Sequence, residues 1–317
     1  MKNTNPKLSI LMPVMNMEKY VAETIETILA QTYKNWELVV MDGQSKDRTF
    51  DILKAYAAKD GRIKVFSESD EGPWHAIMKA ADRARGEFMG MMCASDGYLS
   101  NEWFGKAMRV FDREKDVSLV WGIPFSLYED GKLEPHFIYS HFLKDGSFSH
   151  RRILFKELLK RVNLFHPIRF LKKIRLGNLN LVKEGLRKVE PPQKEEWFFY
   201  WLKTGSFFPD ANMIVARKAF FECTPSYKEG SRTPDAFADF YFNFNSKGYL
   251  SYGLPIPANF GRTHGGQFSE AARSFHDVQK NLYSKRIEDF KRNTLRRLDE
   301  FTFVNREGKP VYSVKLP

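Results

Sequence analysis

The chain has 317 residues, 43% of them hydrophobic and 15% aromatic, which is ample material for a packed core and excludes global disorder. Two cysteines, Cys93 and Cys223, exclude a disulfide scaffold and a multi-cysteine zinc module. Fifty Lys and Arg against 39 Asp and Glu leave a net charge of +11, which favours acidic partners: phosphates, nucleic acid or an anionic membrane face.

The polar start, Met1 to Pro6, runs into a short apolar stretch and lacks the long apolar region of a signal peptide. No run of 18 apolar residues occurs, so no membrane-spanning helix is expected and a cytoplasmic chain is. Leu8–Pro13 reads as a first strand, ended by its proline. Tyr20, Val21, Ile25, Ile28 and Leu29 then recur at helical spacing. Trp36–Met41 is a second strand, followed by the turn pair Asp42-Gly43, and Ile52, Leu53 and Tyr56 mark the next helix. Ile63–Phe66, Glu87–Cys93 and Val117–Trp121 read as further strands. Between them, Trp74–Arg83 reads as a helix, and Trp103, Phe104, Ala107, Met108 and Phe111 form one helical face. This alternation predicts a mostly parallel sheet with helices on both faces. Ligands of such sheets bind beyond the carboxyl ends of the strands, which singles out loops 13–18, 42–48, 67–73 and 94–100.

Residues 136–205 break the rhythm. Within them, 151–190 carries twelve Lys or Arg against three Glu, most of the chain's net charge, interleaved with Leu, Ile and Phe and closed by Pro191-Pro192. Residues 206–268 resume mixed α/β character. Residues 270–300 read as a polar, basic helix, and Phe301–Leu316 as a hairpin around Glu307-Gly308.

Each of the first four strand regions is followed by a loop rich in carboxylates or glycine. They hold Asn16 and Glu18; Asp42, Ser45 and Asp47; Glu68, Asp70 and Gly72; and Ser95 and Asp96. A strand-end carboxylate accepts hydrogen bonds from a ribose or base, or binds a metal through oxygen. A lone Asp-Gly is more often a turn former or helix cap, and Asp47 in "SKDRT" fits that role. Recurrence at four successive loops favours a binding edge.

The stretch "LSILMPVMNMEKYVAETIETILAQTYKNWELVVMDGQSKDRT" resembles the opening of family-2 glycosyltransferases of GT-A fold. The shared positions are Pro13, Asn16, Tyr20, Ile25, Ile28, Gln31, Tyr33, Glu37, Asp42, Gly43, Ser45, Asp47 and Thr49. "SESDEGPWHAIMKAADRARGEFMGMMCASDGYL" is similar to that family's third-loop and D-D stretch, and "PDAFADFYFNFNSKGYLSYGLPIPANFGRTHGG" to its acceptor half. The resemblance covers roughly 8–125 and 206–268. It implies four regions: a donor-binding half at 1–135, a basic amphipathic helical insertion at 136–205, an acceptor half at 206–268, and a C-terminal helix and hairpin at 269–317.

The resemblance implies inverting transfer of a sugar from a nucleotide-diphosphate sugar, a UDP-sugar first, to a hydroxyl of a glycan or lipid-linked acceptor in surface polysaccharide or lipopolysaccharide synthesis. Pro13, Asn16, Glu18, Asp42, Glu68, Asp70, Ser95, Asp96 and Arg262 would bind the donor. Asp96 and His264 would hold Mn²⁺ or Mg²⁺, and Asp239 would be the general base. This sequence departs from the pattern at Gly97, where a second Asp is usual, and at Ala238, His75 and Met78. Those departures keep open an alternative: a catalytically degenerate domain that binds nucleotide or membrane as a scaffold. The segment 151–190 reads either as a solvated arm or as a peripheral anchor on the anionic inner face of the membrane, with nucleic acid behind both. The run Trp197–Trp201 reads as core or acceptor-pocket lining.

Overall fold

The computed structural model describes residues 6–136, 175–176, 191–208, 210–225, 233–263 and 273–316. The chain opens as β1 (Leu8–Val14), α1 (Val21–Leu29), β2 (Trp36–Asp42), α2 (Thr49–Lys59), β3 (Ile63–Ser67), α3 (Pro73–Arg83) and β4 (Phe88–Met91). It continues with β5 (Gly97–Tyr98), α4 (Trp103–Arg113), β6 (Val117–Leu127), β7 (Lys132–Pro135) and β8 (Arg175–Leu176). The later elements are α5 (Lys194–Thr204), β9 (Ile214–Ala216), α6 (Arg217–Cys223), α7 (Thr233–Ser246), β10 (Leu250–Arg262), α8 (Arg273–Asn293), β11 (Glu300–Val304) and β12 (Pro310–Lys315).

The main sheet runs β3-β2-β1-β4-β9-β6-β10-β5, with β7 and β8 off the β6 edge. Pairing among β1 to β4 is parallel, as is β6 with β10. The expected parallel sheet is thus interrupted: β9 enters antiparallel between β4 and β6, and β5 lies antiparallel on β10. The sheet is α/β and mostly parallel, with both faces of its central strands covered. That is why β1 and β2 read as nearly continuous apolar runs. Glu37 sits inside β2 because its carboxylate accepts from Ser9 Oγ at 2.7 Å and from the Arg85 N–H at 2.6 Å.

Aromatic packing draws the later segments into the same core. In α5, part of the expected insertion 136–205, Trp197 and Trp201 are buried; Trp197 stacks on Phe208 with centroids 4.4 Å apart. The predicted hairpin is present as β11–β12, and Phe301 stacks on Phe198 of α5 at 4.3 Å. Arg306, in the hairpin turn, donates to the carbonyls of Phe111, Glu114 and Lys115 around the end of α4. Apart from β8, the basic segment 151–190 lies outside the described residues. Among the described residues, no helix is long and apolar enough to cross a membrane.

Candidate functional site

The carboxyl ends of β1 and β2 are sewn together. Asn16 takes a left-handed conformation (φ 54°) that turns the chain after β1; its N–H donates to Ser45 Oγ and its Oδ1 accepts the Lys46 N–H, both at 2.8 Å. The Met17 N–H donates to Thr49 Oγ1 at 2.7 Å. Glu18 and Asp47 exchange bonds: the Glu18 N–H reaches Asp47 Oδ2 at 3.1 Å, and Glu18 Oε2 accepts the Arg48 N–H at 2.9 Å. Burial alone would raise the Asp47 carboxyl, but bonds from Thr49 and the Glu18 N–H hold it below the usual carboxylate range. Its Oδ1 accepts the Thr49 N–H at the first residue of α2, while Arg48 and not Asp47 holds the cap position. Asp42 is fully buried and accepts from Ser45 N–H, Ser45 Oγ and Ser67 Oγ. Asn16, Glu18 and Asp42 therefore organise these loops, and Pro13 lies in β1 just beneath them.

The third loop leads into α3, where Pro73 takes the first helical position and Gly72 adopts φ 124°. Asp70 Oδ1 accepts the Gly72 N–H at 2.8 Å, and its Oδ2 lies so near Gly43 that a Cβ there would come within 2.6 Å of it. Glu68 instead turns to α3, bonded to Arg83 and 3.5 Å from Lys79. His75 Nδ1 accepts the Glu71 N–H at 3.3 Å.

A second cluster forms where the β4–β5 loop meets the end of β10. Asp96 Oδ1 accepts the Arg262 N–H at 3.0 Å, and Ser95 O accepts from Arg262 Nε at 3.1 Å. Arg262 Nη2 donates to Glu23 on α1 at 2.7 Å, and the guanidinium packs against the rings of Tyr20 (4.9 Å) and Phe260 (5.5 Å). Burial pushes the Glu23 carboxyl above its ordinary range, with Arg262 pulling against it. Below Glu23 on the same helix, Thr24 Oγ1 donates to Ala94 O and Asp96 O, and Thr27 Oγ1 accepts the Tyr98 N–H. The structure thus brings Ser95, Asp96 and Arg262 together. It adds Tyr20, a shared motif position given no role there, and Glu23, Thr24, Thr27 and Phe260, which the motif reading did not single out. The available signal was the pair of buried threonines on the apolar face of α1, which have no reason to be there unless they bond another segment.

Two further expected site residues are His264 and Asp239. His264 lies outside the described residues. Asp239 sits in the second turn of α7, which begins at Thr233. Its carboxylate is bonded to Arg286 of α8, whose guanidinium stacks 4.0 Å from the Phe242 ring. Phe237, two residues earlier, faces Trp74 of α3 at 5.1 Å. At roughly 100° per residue, Asp239 is about 160° around the helix from that contact.

The donor set at Asp96 does not build a cation site by itself. Oδ1 already takes a backbone N–H, and the Gly97 position faces the Phe260 ring. Among the described residues no three His, Cys, Asp or Glu side chains converge. A single carboxylate fits a cation whose remaining ligands are phosphate oxygens and water.

The structure thus gives a mostly parallel α/β sheet with loop clusters at the carboxyl ends of β1 to β4. The glycosyl transferase family 2 model matches residues 9–172, and the chain belongs to that family. It is 34% identical over 103 residues to the putative teichuronic acid biosynthesis glycosyltransferase TuaG of Bacillus subtilis, covering 32% of this chain and 41% of the relative. It is 50% identical over 64 residues to the putative glycosyltransferase EpsE of the same organism, covering 20% and 23%. The matches thus span less than half the length of these relatives. The fold is similar to S. aureus TarS 1–349 in complex with UDP-GlcNAc, with TM-score 0.53 and 16% identity over 91% of this chain and 73% of that one. It is also similar to the mannosyltransferase PcManGT of Pyrobaculum calidifontis in complex with GDP-Man and Mn²⁺, with TM-score 0.52 and 15% identity over 90% and 65%.

Proposed function

We propose that the chain transfers a glycosyl group from a nucleotide-diphosphate sugar, a UDP-sugar first, to a hydroxyl of a glycan or lipid-linked acceptor in surface polysaccharide or lipopolysaccharide synthesis. The observation that carries this reading is the cluster of Asp96, Ser95 and Arg262 held beyond β4, beside the sewn loops of β1 and β2. The loops after β1, β2 and β3, with Asp42 and Asp70 at their base, receive the nucleoside. Arg262 sits where the departing diphosphate gains charge, and a fixed cation there favours departure. Asp96 would hold a divalent cation carried by the diphosphate; when bound, that ion supplies further charge neutralisation. Attack of the hydroxyl from the face opposite the diphosphate inverts the anomeric carbon. The segments 1–135 and 206–268 supply the two sides of this cleft.

The test is a thermal-shift screen of UDP, GDP, dTDP and CMP and their sugars, each with Mn²⁺, Mg²⁺ or a chelator. A ligand at about 100 times its Kd adds roughly 2.7 kcal/mol, a visible rise in Tm. Stabilisation by one nucleotide class is expected; no shift with any of them would reject the reading. A second reading, a nucleotide-binding scaffold without transfer, is favoured by Gly97 and by the Asp239–Arg286 pair. Nucleotide stabilisation with no transfer to any acceptor would select it.

We place Asp239 in the α7–α8 contact and not in the chemistry. The pair is more than a third exposed on both sides, so its loss costs under about 1 kcal/mol. Asp239→Asn is expected to keep turnover within about threefold of wild type, since a positioned base is worth roughly 10²–10⁴-fold. A loss of that size with an unchanged Tm would restore Asp239 as the base. The basic segment 151–190 is assigned to docking on anionic lipid. The full chain is then expected to co-sediment with anionic liposomes at low salt and to be released as salt rises; equal binding to neutral liposomes would reject this.

A further inference from the structure

Beside Asp96 and Arg262 lies a buried amide pair that the reading above does not use. Asn212 and Asn259 are 0% and 1% exposed. Asn212 ends the 3-10 turn Asp210–Asn212, just before β9, and its side chain extends the β9–β6 ladder. Beyond the Ile214–Val120 pair, Asn212 Oδ1 accepts the Gly122 N–H at 3.0 Å and Nδ2 donates to Gly122 O at 3.0 Å. Nδ2 also donates to Asn259 Oδ1 at 2.8 Å.

That last bond fixes the Asn259 amide. With Oδ1 turned toward Asn212, the N–H bonds of Nδ2 point away from it, and among the described residues they meet no acceptor. Nδ2 is not among the fully buried polar atoms left without a partner, so these donors reach the surface, where an oxygen from outside the chain can take them. The register shows where it is aimed. Asn259 pairs with Tyr98 and Phe260 with Gly97, and side chains alternate along a strand. Asn259 and Gly261 therefore share one face of β10, and Phe260 and Arg262 the other. A Cβ at Gly261 would lie 3.9 Å from Asp96 Oδ2, so Asn259 stands on the face that carries the Asp96 carboxylate. Two residues of strand, roughly 7 Å, separate it from Gly261. A glycosyl group attached to a diphosphate at Asp96 would extend over this distance.

We propose that Asn259, positioned by Asn212, donates a hydrogen bond to an oxygen substituent of the transferred sugar and so helps select which sugar is used. The inference rests on the donor reading above. It differs from that reading in one respect: it concerns the sugar and not the nucleoside diphosphate.

Calorimetric titration of the full chain with UDP, UDP-GlcNAc, GDP and GDP-mannose separates the two. Asn259→Asp keeps an oxygen for Asn212 to donate to and removes the outward N–H donors; Asn259→Ser is a second, smaller variant. For the nucleotide pair that binds wild type, both variants are expected to lose tenfold or more in affinity for the nucleotide-sugar. Affinity for the nucleoside diphosphate alone should stay within twofold. Asn212→Ser, which releases the Asn259 amide, should move the same ratio in the same direction by less. Equal losses for the sugar and the diphosphate would show a structural role and overturn the proposal, as would no change in either. If none of the four ligands binds wild type, the donor reading itself fails and this inference falls with it.

Discussion

Gly97→Asp is expected to destabilise the protein by about 3 kcal/mol or more and to create no second metal ligand. A Cβ on Gly97 would lie 2.7 and 2.8 Å from ring carbons of Phe260 and 3.0 Å from Thr27 Cγ2. Neither neighbour has room to retreat. Phe260 is buried on β10, opposite Gly97 in register, and Arg262 packs on its ring. Thr27 is buried and tied to the Tyr98 N–H. Overpacking alone costs roughly 1–3 kcal/mol, and a carboxylate pushed among these groups adds a desolvation penalty. Gly97→Ala should show the packing part and Gly97→Asp the whole, read as successive falls in Tm that Mn²⁺ does not reverse. A Gly97→Asp protein as stable as wild type, with tighter Mn²⁺ binding, would show that the site accepts a second carboxylate. The departure at Gly97 is thus the local consequence of placing an aromatic side chain at position 260.

Arg262→Ala should be the most damaging single change at the site. One guanidinium connects α1 through Glu23, the β4–β5 loop through Ser95 O, and the rings of Tyr20 and Phe260. Its removal strands the partly buried Glu23 carboxylate, which burial already disfavours in its charged form. The expected loss is about 2–4 kcal/mol, together with at least a tenfold loss of nucleotide-diphosphate affinity. Arg262→Lys should recover little, because a lysine lacks the planar fork that reaches Glu23 and Ser95 O together. Adding Glu23→Gln to Arg262→Ala should restore part of the stability, by removing the stranded charge, but none of the affinity. Equal stability of the single and double variants would show that the two side chains are not coupled.

Much of this could be read from sequence. The two periods of the first 125 residues place β1 to β4 and α1 to α4 because most elements are long enough to repeat their pattern, and β1, β2 and β4 are apolar almost throughout. The turn at Glu307-Gly308 marked the hairpin for the same local reason. The antiparallel entry of β9 could not be read this way. Three residues, Ile214–Ala216, carry no period, and their direction is set by pairing with Met89 and Leu119. The same limit applies to the site. Loop carboxylates were visible as a recurring type, but a motif does not say what each one bonds. Asp42, Asn16 and Glu18 are occupied with one another's loops, and Asp239 lies on the far side of its helix from α3. Glu23 and Arg262 are 239 positions apart, and only the closed sheet makes them neighbours.

The five hydrogen bonds that cross between the loops after β1 and β2 have a consequence for affinity. Ordering a slack backbone costs about 1–2 kcal/mol per residue, and a ligand that must do so binds that much more weakly. Here Asn16, Met17, Glu18, Lys46 and Arg48 are fixed by the fold itself, so a donor bound there as proposed would meet a surface already in its final shape. Losing any one of these bonds would remove no contact with the ligand, yet it would shift the ordering cost from folding to binding. Substitutions at Ser45 or Thr49, which have the appearance of neutral loop changes, would then act as affinity mutations at a distance.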